Sequence, residues 1–412
     1  MSSPDAGGQP TAKIFFDHIS TTPLDPRVLD AMMPYLTEWY GNPSSHIHEQ
    51  GQTAVRAVDR ARGEVAALIG AKASEIVFTS GATESNNLAV LGALEASGKR
   101  HVVVSEVEHF SVMNALIPLR NAGAEVTVVP VDRDGLVAPD DVRKALRPET
   151  GLLSVMHANS EIGTIQPVEE IGRIARERGV TFHVDAAASA GHIPCDVRAI
   201  PADLVTLSAH NFYGPKGAGA LFIRDGAKVA SRSFGGFQEM GYRAGTENVP
   251  GVVGMGAAAA IAAKEAGSWA SHLRNLGKRL WEGLAAIPLL HFTGHPALRL
   301  PGHVSFWVEH AEGESLLLFL DVKGIMAASG SACSSNLRGE DEEDLVASPV
   351  LRAIGVPSDI CTGSITFSLG KGNTEEEVRR TLDVLPGIVE RLREMSPTYL
   401  DYQKQQSKGG SA

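Results

Sequence analysis

Between about residues 75 and 224 the chain alternates short β-rich runs with helical stretches, and this alternation leaves few folds open. The runs fall at 76–79, 101–104, 126–129, 152–155, 181–184, 204–207 and 220–223. Their nearly continuous apolar character predicts strands buried on both faces, in a mainly parallel sheet covered by helices. Ligands in such sheets bind beyond the carboxyl ends of the strands. Gly81-Ala82-Thr83, Asn159, Asp185 and His210 all follow the end of a run, so that edge is the expected site.

After residue 251 the texture changes. Helical segments rich in Ala, Leu and Arg, at 251–286, 315–323 and 374–394, flank strands such as 304–307. The expected division is a large domain with the central sheet over 15–258 and a smaller α+β domain over 259–402. Residues 1–14 are expected to pack with the latter or be disordered, and the polar stretch 403–412 to form a disordered tail. The apolar stretch 249–263 is rich in Gly and Ala and too short to span a bilayer, which predicts a packed helix.

Hydrophobic content of 43% and charged content of 21% over 412 residues suit a soluble globular protein. A net charge of -11 argues against nucleic acid or an anionic membrane as the main partner. Three cysteines, Cys195, Cys333 and Cys361, form no C-x-x-C pair, which excludes a disulfide scaffold and fits a reducing compartment. Residues 1–11 lack the basic and apolar regions of a signal peptide, and a cytoplasmic location is expected. The spacings of His46 with His48 and His101 with His109 suggest no metal site, and no H-E-x-x-H is present.

Several residues carry chemical potential of their own. In 79–87 a strand end, a glycine and the hydroxyl of Thr83 at a helix start make either an anion cup or an ordinary helix cap. Asp185 ends a buried run and either caps the next helix or meets a ligand. His109 stands at a helix start. Cys333 lies among small residues in Ala328-Ser329-Gly330-Ser331-Ala332-Cys333-Ser334-Ser335, which favours an exposed loop over a core position.

The stretch Leu207-Ser208-Ala209-His210-Asn211-Phe212-Tyr213-Gly214-Pro215-Lys216-Gly217 resembles the cofactor-lysine segment of cysteine desulfurases, in the class V aminotransferase family. The likeness extends from Ile14-Phe15-Phe16-Asp17 through Gly41-Asn42-Pro43-Ser44-Ser45 to Phe367-Ser368-Leu369-Gly370, nearly the whole chain. It implies an α/β protein of the pyridoxal-phosphate-dependent transferase fold type I. That fold has a large domain with a mixed, mainly parallel seven-stranded sheet and a smaller α+β domain. The resemblance also implies pyridoxal phosphate as cofactor. Ala82, Thr83, Ser208, His210 and Thr246 would hold its phosphate, Asp185 its ring nitrogen, His109 its ring face, and Asn159 would lie near its hydroxyl. Thr246 would reach into a neighbouring subunit's site, which implies a homodimer. Cys333 would accept sulfur from a cysteine substrate as a persulfide and pass it to an acceptor such as an iron–sulfur scaffold protein.

Three positions depart from the family pattern. Asn211 replaces the Schiff-base lysine, Ala188 the glutamine that bonds the ring hydroxyl, and Thr366 the arginine that grips the substrate carboxylate. An amide cannot form an imine, and threonine cannot make a bidentate clamp. His18 and Ser20 are also unusual near the substrate side. Lys216 stands in a Gly-Pro-Lys-Gly stretch that ordinary members also carry, so it is no ready replacement. The expectation is a cysteine desulfurase-like enzyme with altered or lost pyridoxal chemistry. The cofactor would then be noncovalent or absent, Cys333, His109 and Asn211 would form the reactive set, and His109 is the first candidate base. The alternatives are a hydrolase or lyase on this scaffold acting on a small molecule without covalently bound pyridoxal phosphate, with Cys333 as nucleophile or proton carrier, or a non-catalytic iron–sulfur scaffold partner.

Overall fold

A computed structural model describes residues 13–330, 348–357 and 363–409. The described residues begin with strand β1 (Ile14–Phe15) and helices α1 (Pro26–Thr37) and α2 (Glu49–Leu68). There follow β2 (Ile76–Thr79), α3 (Ala82–Ser97), β3 (His101–Ser105), α4 (Phe110–Met113), α5 (Leu116–Asn121) and β4 (Glu125–Val129). Next come α6 (Pro139–Ala145), β5 (Thr150–Ser154), α7 (Val168–Arg178), β6 (Thr181–Asp185), β7 (Leu204–Ser208) and β8 (Gly219–Ile223). The long helix α8 (Val249–Leu284) leads to β9 (Leu290–Phe292), β10 (His303–Val308), α9 (Gly313–Val322), β11 (Ile325–Met326) and β12 (Ala328–Ser329). The remaining elements are α10 (Pro349–Ala353), β13 (Ile365–Ser368), α11 (Glu375–Glu394) and α12 (Pro397–Gly409).

Seven strands form one sheet in the order β2-β8-β7-β6-β5-β3-β4. Every pairing is parallel except those of β8, which runs antiparallel to both β2 and β7. β2, β3, β5, β6, β7 and β8 read as buried at every position but one, as their apolar runs require. The edge strand β4 is partly open to solvent at four of its five positions. The polarity of β8 has a direct consequence for the site. Its amino end lies at the same edge as the carboxyl ends of its neighbours, so Lys216 and Gly217 arrive beside Gly81 and Ser208.

A second sheet, β12-β13-β10-β9, is wholly antiparallel, and β1 pairs with β11. Helix α8 serves both cores without a break. Its first part, Val249 to Ala259, packs on the core of the large sheet, and Leu273 to Leu284 pack on the core of the small one. Ile14 and Phe16 join that second core. The segment expected to be a disordered tail from residue 403 is instead helical to Gly409 within α12. Tertiary and local contacts account for the difference: the rings of Tyr399 and Tyr402 stack on each other and lie tilted against His310, and within the helix Lys404 pairs with Asp401 at i,i+3.

Two glycines set the edge where the sheet meets α3. Gly81 has φ 153° and ψ -177°, a region of backbone space essentially reserved for glycine. Gly219 lies between Thr79 and Ser208 in register, and a Cβ there would stand 2.5 Å from the Cα of Gly81. Because the obstacle is backbone, Gly219→Ala is expected to cost roughly 1–3 kcal/mol. Thermal or urea denaturation checks this, and an unchanged midpoint would show that the loop yields freely.

Candidate active site

The expected edge of the sheet carries a cavity of about 870 Å³, reached by residues of both sheets. Of the residues singled out in the sequence, Ala82, Thr83, His109, Asn159, Asp185, Ala188, Ser208, His210, Asn211 and Thr366 line it. Thr246 does not. It is exposed, with its hydroxyl 3.5 Å from Asn42 Nδ2. Cys333 and Cys361 lie outside the described residues. Cys195 is buried within the large core, and burial pushes its thiol up to about 12, which makes it inert.

One wall is built for an anion. Gly81 caps α3 without a side chain, so the first-turn amides of Ala82, Thr83 and Glu84 have no intrahelical acceptor and meet the positive end of the helix dipole. Ser208 Oγ is buried and has no hydrogen-bond partner among the described residues, an unusual state for a hydroxyl in a folded protein. Lys216 also lines this cavity and lies close enough to His210 to depress that imidazole's affinity for protons, second to the effect of burial. Glu84 does not oppose an anion here, because it accepts from Ser80 N at 2.7 Å and from Arg243 Nε at 3.2 Å.

Asp185 ends β6, where it accepts from Ala187 N at 2.9 Å and from Asn86 Nδ2 at 2.7 Å. The same Asn86 amide donates to Ser111 Oγ at 2.8 Å, and Ser111 Oγ lies 2.7 Å from His109 Nδ1. Ser111 N also donates to that nitrogen, at 3.1 Å, so the neutral imidazole carries its proton on Nε2. Asp185, Asn86, Ser111 and His109 thus form one continuous network. Nothing in the sequence pattern marked Asn86 or Ser111. Asn159 is engaged otherwise: its Nδ2 donates to Val107 O, and its Oδ1 accepts from Glu161 N and Ile162 N. Its side chain therefore shapes a turn and has little left for a ligand.

Asn211 follows β7 in a short 3-10 turn, Ala209–Phe212. Its Nδ2 donates to Ile19 O at 3.0 Å, and its own carbonyl accepts from His192 Nε2 at 2.6 Å. Ile19 N in turn donates to Ser368 Oγ on β13. The amide is a tie between the N-terminal loop and the end of β7. His18 in that loop is held neutral, its pKa lowered to about 4 by burial and by nearby His192.

Glu108 and Glu161 also line the cavity, and their burial could not be read from sequence. Glu108 accepts from Ser105 Oγ at 2.5 Å and from Met156 N at 2.7 Å. Burial lifts it to about 7 against those bonds, and the charge of Asp185 adds to the lift. Glu161 accepts from Ser348 Oγ at 2.5 Å, and burial lifts it to about 7 as well. Thr366 Oγ1 donates to the backbone carbonyl of Glu161 at 3.1 Å.

A ligand cavity at the carboxyl edge of a mixed, mainly parallel seven-stranded sheet, with a small antiparallel sheet beside it, is the pyridoxal-phosphate-dependent transferase fold type I. The chain belongs to the aminotransferase class-V family, whose model matches residues 14–381. It is 48% identical over 386 residues to cysteine desulfurase IscS of Methanosarcina thermophila, covering 93% of this chain and 94% of that one. It is 47% identical over 387 residues to cysteine desulfurase IscS 1 of Archaeoglobus fulgidus, covering 93% and 99%. Among solved structures, a NifS-like protein superposes with a TM-score of 0.84 at 36% identity, covering 92% of this chain and 99% of that one. The apo structure of a cysteine desulfurase from Thermococcus onnurineus NA1 gives 0.82 at 30% identity, covering 92% and 95%.

The raised Glu108 sets a pH dependence of stability. A carboxyl at about 7 when folded and 4.5 when unfolded contributes fully below 4.5, and that contribution is lost as pH rises through 7. Glu108→Gln removes the charge but keeps the acceptor for Met156 N. The variant should gain on the wild type steadily between these pH values, by up to on the order of 3 kcal/mol. Urea denaturation at a series of pH values checks this, and parallel pH profiles would contradict it.

Proposed function

We propose that this protein is a cysteine desulfurase-type enzyme whose pyridoxal chemistry has diverged, with pyridoxal phosphate held noncovalently. The tie from Asn211 Nδ2 to Ile19 O carries the reading, since an amide stands at the tethering position and is already bonded. The described residues fit the cofactor at two places. Its phosphate suits the orphaned Ser208 hydroxyl and the uncapped start of α3, and its ring nitrogen suits Asp185, fixed by Asn86. When bound, the cofactor would supply an electron sink for carbanion chemistry.

The protein's own residues do the rest. Asp185 would keep a proton on the ring nitrogen, because Asn86 and Ala187 N hold its two oxygens in place. His109 would present Nε2 to the cavity, with Nδ1 locked by Ser111, and is the nearest analogue of a proton carrier. The family's reaction draws sulfur from cysteine, and by resemblance Cys333 would receive it as a persulfide. A homodimer and an iron–sulfur scaffold as sulfur acceptor belong to the same reading, which the 46–48% identity to cysteine desulfurases supports.

Restoration tests the proposal. The wild type should release sulfide from L-cysteine roughly 10³-fold more slowly than a variant carrying both Asn211→Lys and Thr366→Arg. The double variant should also show the visible absorption of a lysine-bound cofactor. Robust sulfide and alanine formation by the unaltered protein would overturn the proposal.

A further inference from the structure

The cavity has a second wall, made from the small sheet and the Glu161 turn, and its chemistry is opposite to that of the anion wall. Thr366 occupies the middle of this sheet, paired across to Ala328 on β12 and Ser305 on β10. Its hydroxyl proton is committed to Glu161 O. The Glu161 carboxyl is fixed from the other side. Ser348 caps α10 by accepting from Leu351 N, which orients the serine proton onto Glu161 Oε2. A Cβ on Gly330 would stand 3.2 Å from that same oxygen, so the carboxylate abuts bare backbone. Among the described residues lining the cavity there is no arginine, and the one lysine, Lys216, lies by His210.

Among the described residues this wall offers acceptors and negative charge to a substrate tail, with no cation to receive an anion. An α-carboxylate placed there would meet the Glu161 carboxylate, whose burial makes a like charge repel strongly. We propose that the site takes a primary amine lacking an α-carboxylate, with a donor group of the substrate turned toward Glu161. Burial that lifts Glu161 to about 7 leaves it largely ionised at pH 8, where the discrimination is sharpest. The selection works by repulsion as much as by attraction, a common route to specificity. This inference rests on the cofactor reading above and names the substrate class of the same site.

Stable reduced conjugates of the cofactor test it without any turnover. The full-length protein at pH 8 is titrated by calorimetry with pyridoxamine phosphate, with phosphopyridoxyl-L-alanine and with phosphopyridoxyl-ethylamine. The ethylamine conjugate should bind about tenfold or more tightly than the alanine conjugate, as expected for one unpaired like-charge contact. Thr366→Arg should reverse the order. Glu161→Gln, nearly isosteric and safer for folding, should shrink the difference toward onefold while leaving pyridoxamine phosphate unaffected. Equal or tighter binding of the alanine conjugate by the wild type would overturn the inference, as would a preference that survives Glu161→Gln. No binding of pyridoxamine phosphate would defeat the cofactor reading and this inference together, whereas its binding with the wrong conjugate preference would defeat the inference alone.

Discussion

Because β8 runs against its neighbours, its amino end meets the carboxyl ends of β2, β3, β5, β6 and β7 along one edge of the sheet. Groups far apart in sequence are delivered there by strands that are rigid and buried. Gly219 and Gly81 permit the close approach, which sets the start of α3 beside Ser208. Asp185 arrives on β6, Glu108 just after β3, and Asn211 just after β7. A shift of β8 by one residue would exchange the faces of its side chains and dismantle the anion wall.

The same cavity combines free polar groups with committed ones. The anion wall has free donors, and hydrogen bonds run without a gap from Asp185 through the Asn86 amide nitrogen and Ser111 to His109, while Asn86 Oδ1 has no partner among the described residues. The Asn211 amide fastens the loop at Ile19, which is fastened in turn to Ser368. Asn211 is thus part of the scaffold. Glu108 and Glu161 supply carboxyls whose protonation is poised near neutrality by burial. Such groups are common at functional sites, because a carboxyl near 7 can both hold and release a proton.

The strands of the large sheet were legible because strands buried on both faces are apolar at nearly every position, and their observed limits differ from the sequence reading by a residue or two. Helix 249–284 was legible too, but the change of packing partner along it was not, since Ala and Gly suit either core. α12 escaped notice because its composition is polar and its support comes from His310, far away in sequence. The anion wall was visible in the glycine and hydroxyls after β2. The bonding of Asn159 was not, because its role in the turn at 159–163 depends on Val107. Glu108 and Glu161 look like any surface glutamates in sequence. Their state depends on Ser105, Met156 and Ser348, which only the tertiary fold brings to them.

The most direct measurement is how the cofactor attaches. Purified protein is loaded with pyridoxal phosphate, half is dialysed, and half is reduced with borohydride and mapped by peptide mass spectrometry. The account predicts cofactor that binds at equilibrium, leaves on dialysis, and yields no stoichiometric phosphopyridoxyl adduct on any peptide. A full adduct on one lysine, Lys216 above all, would contradict it.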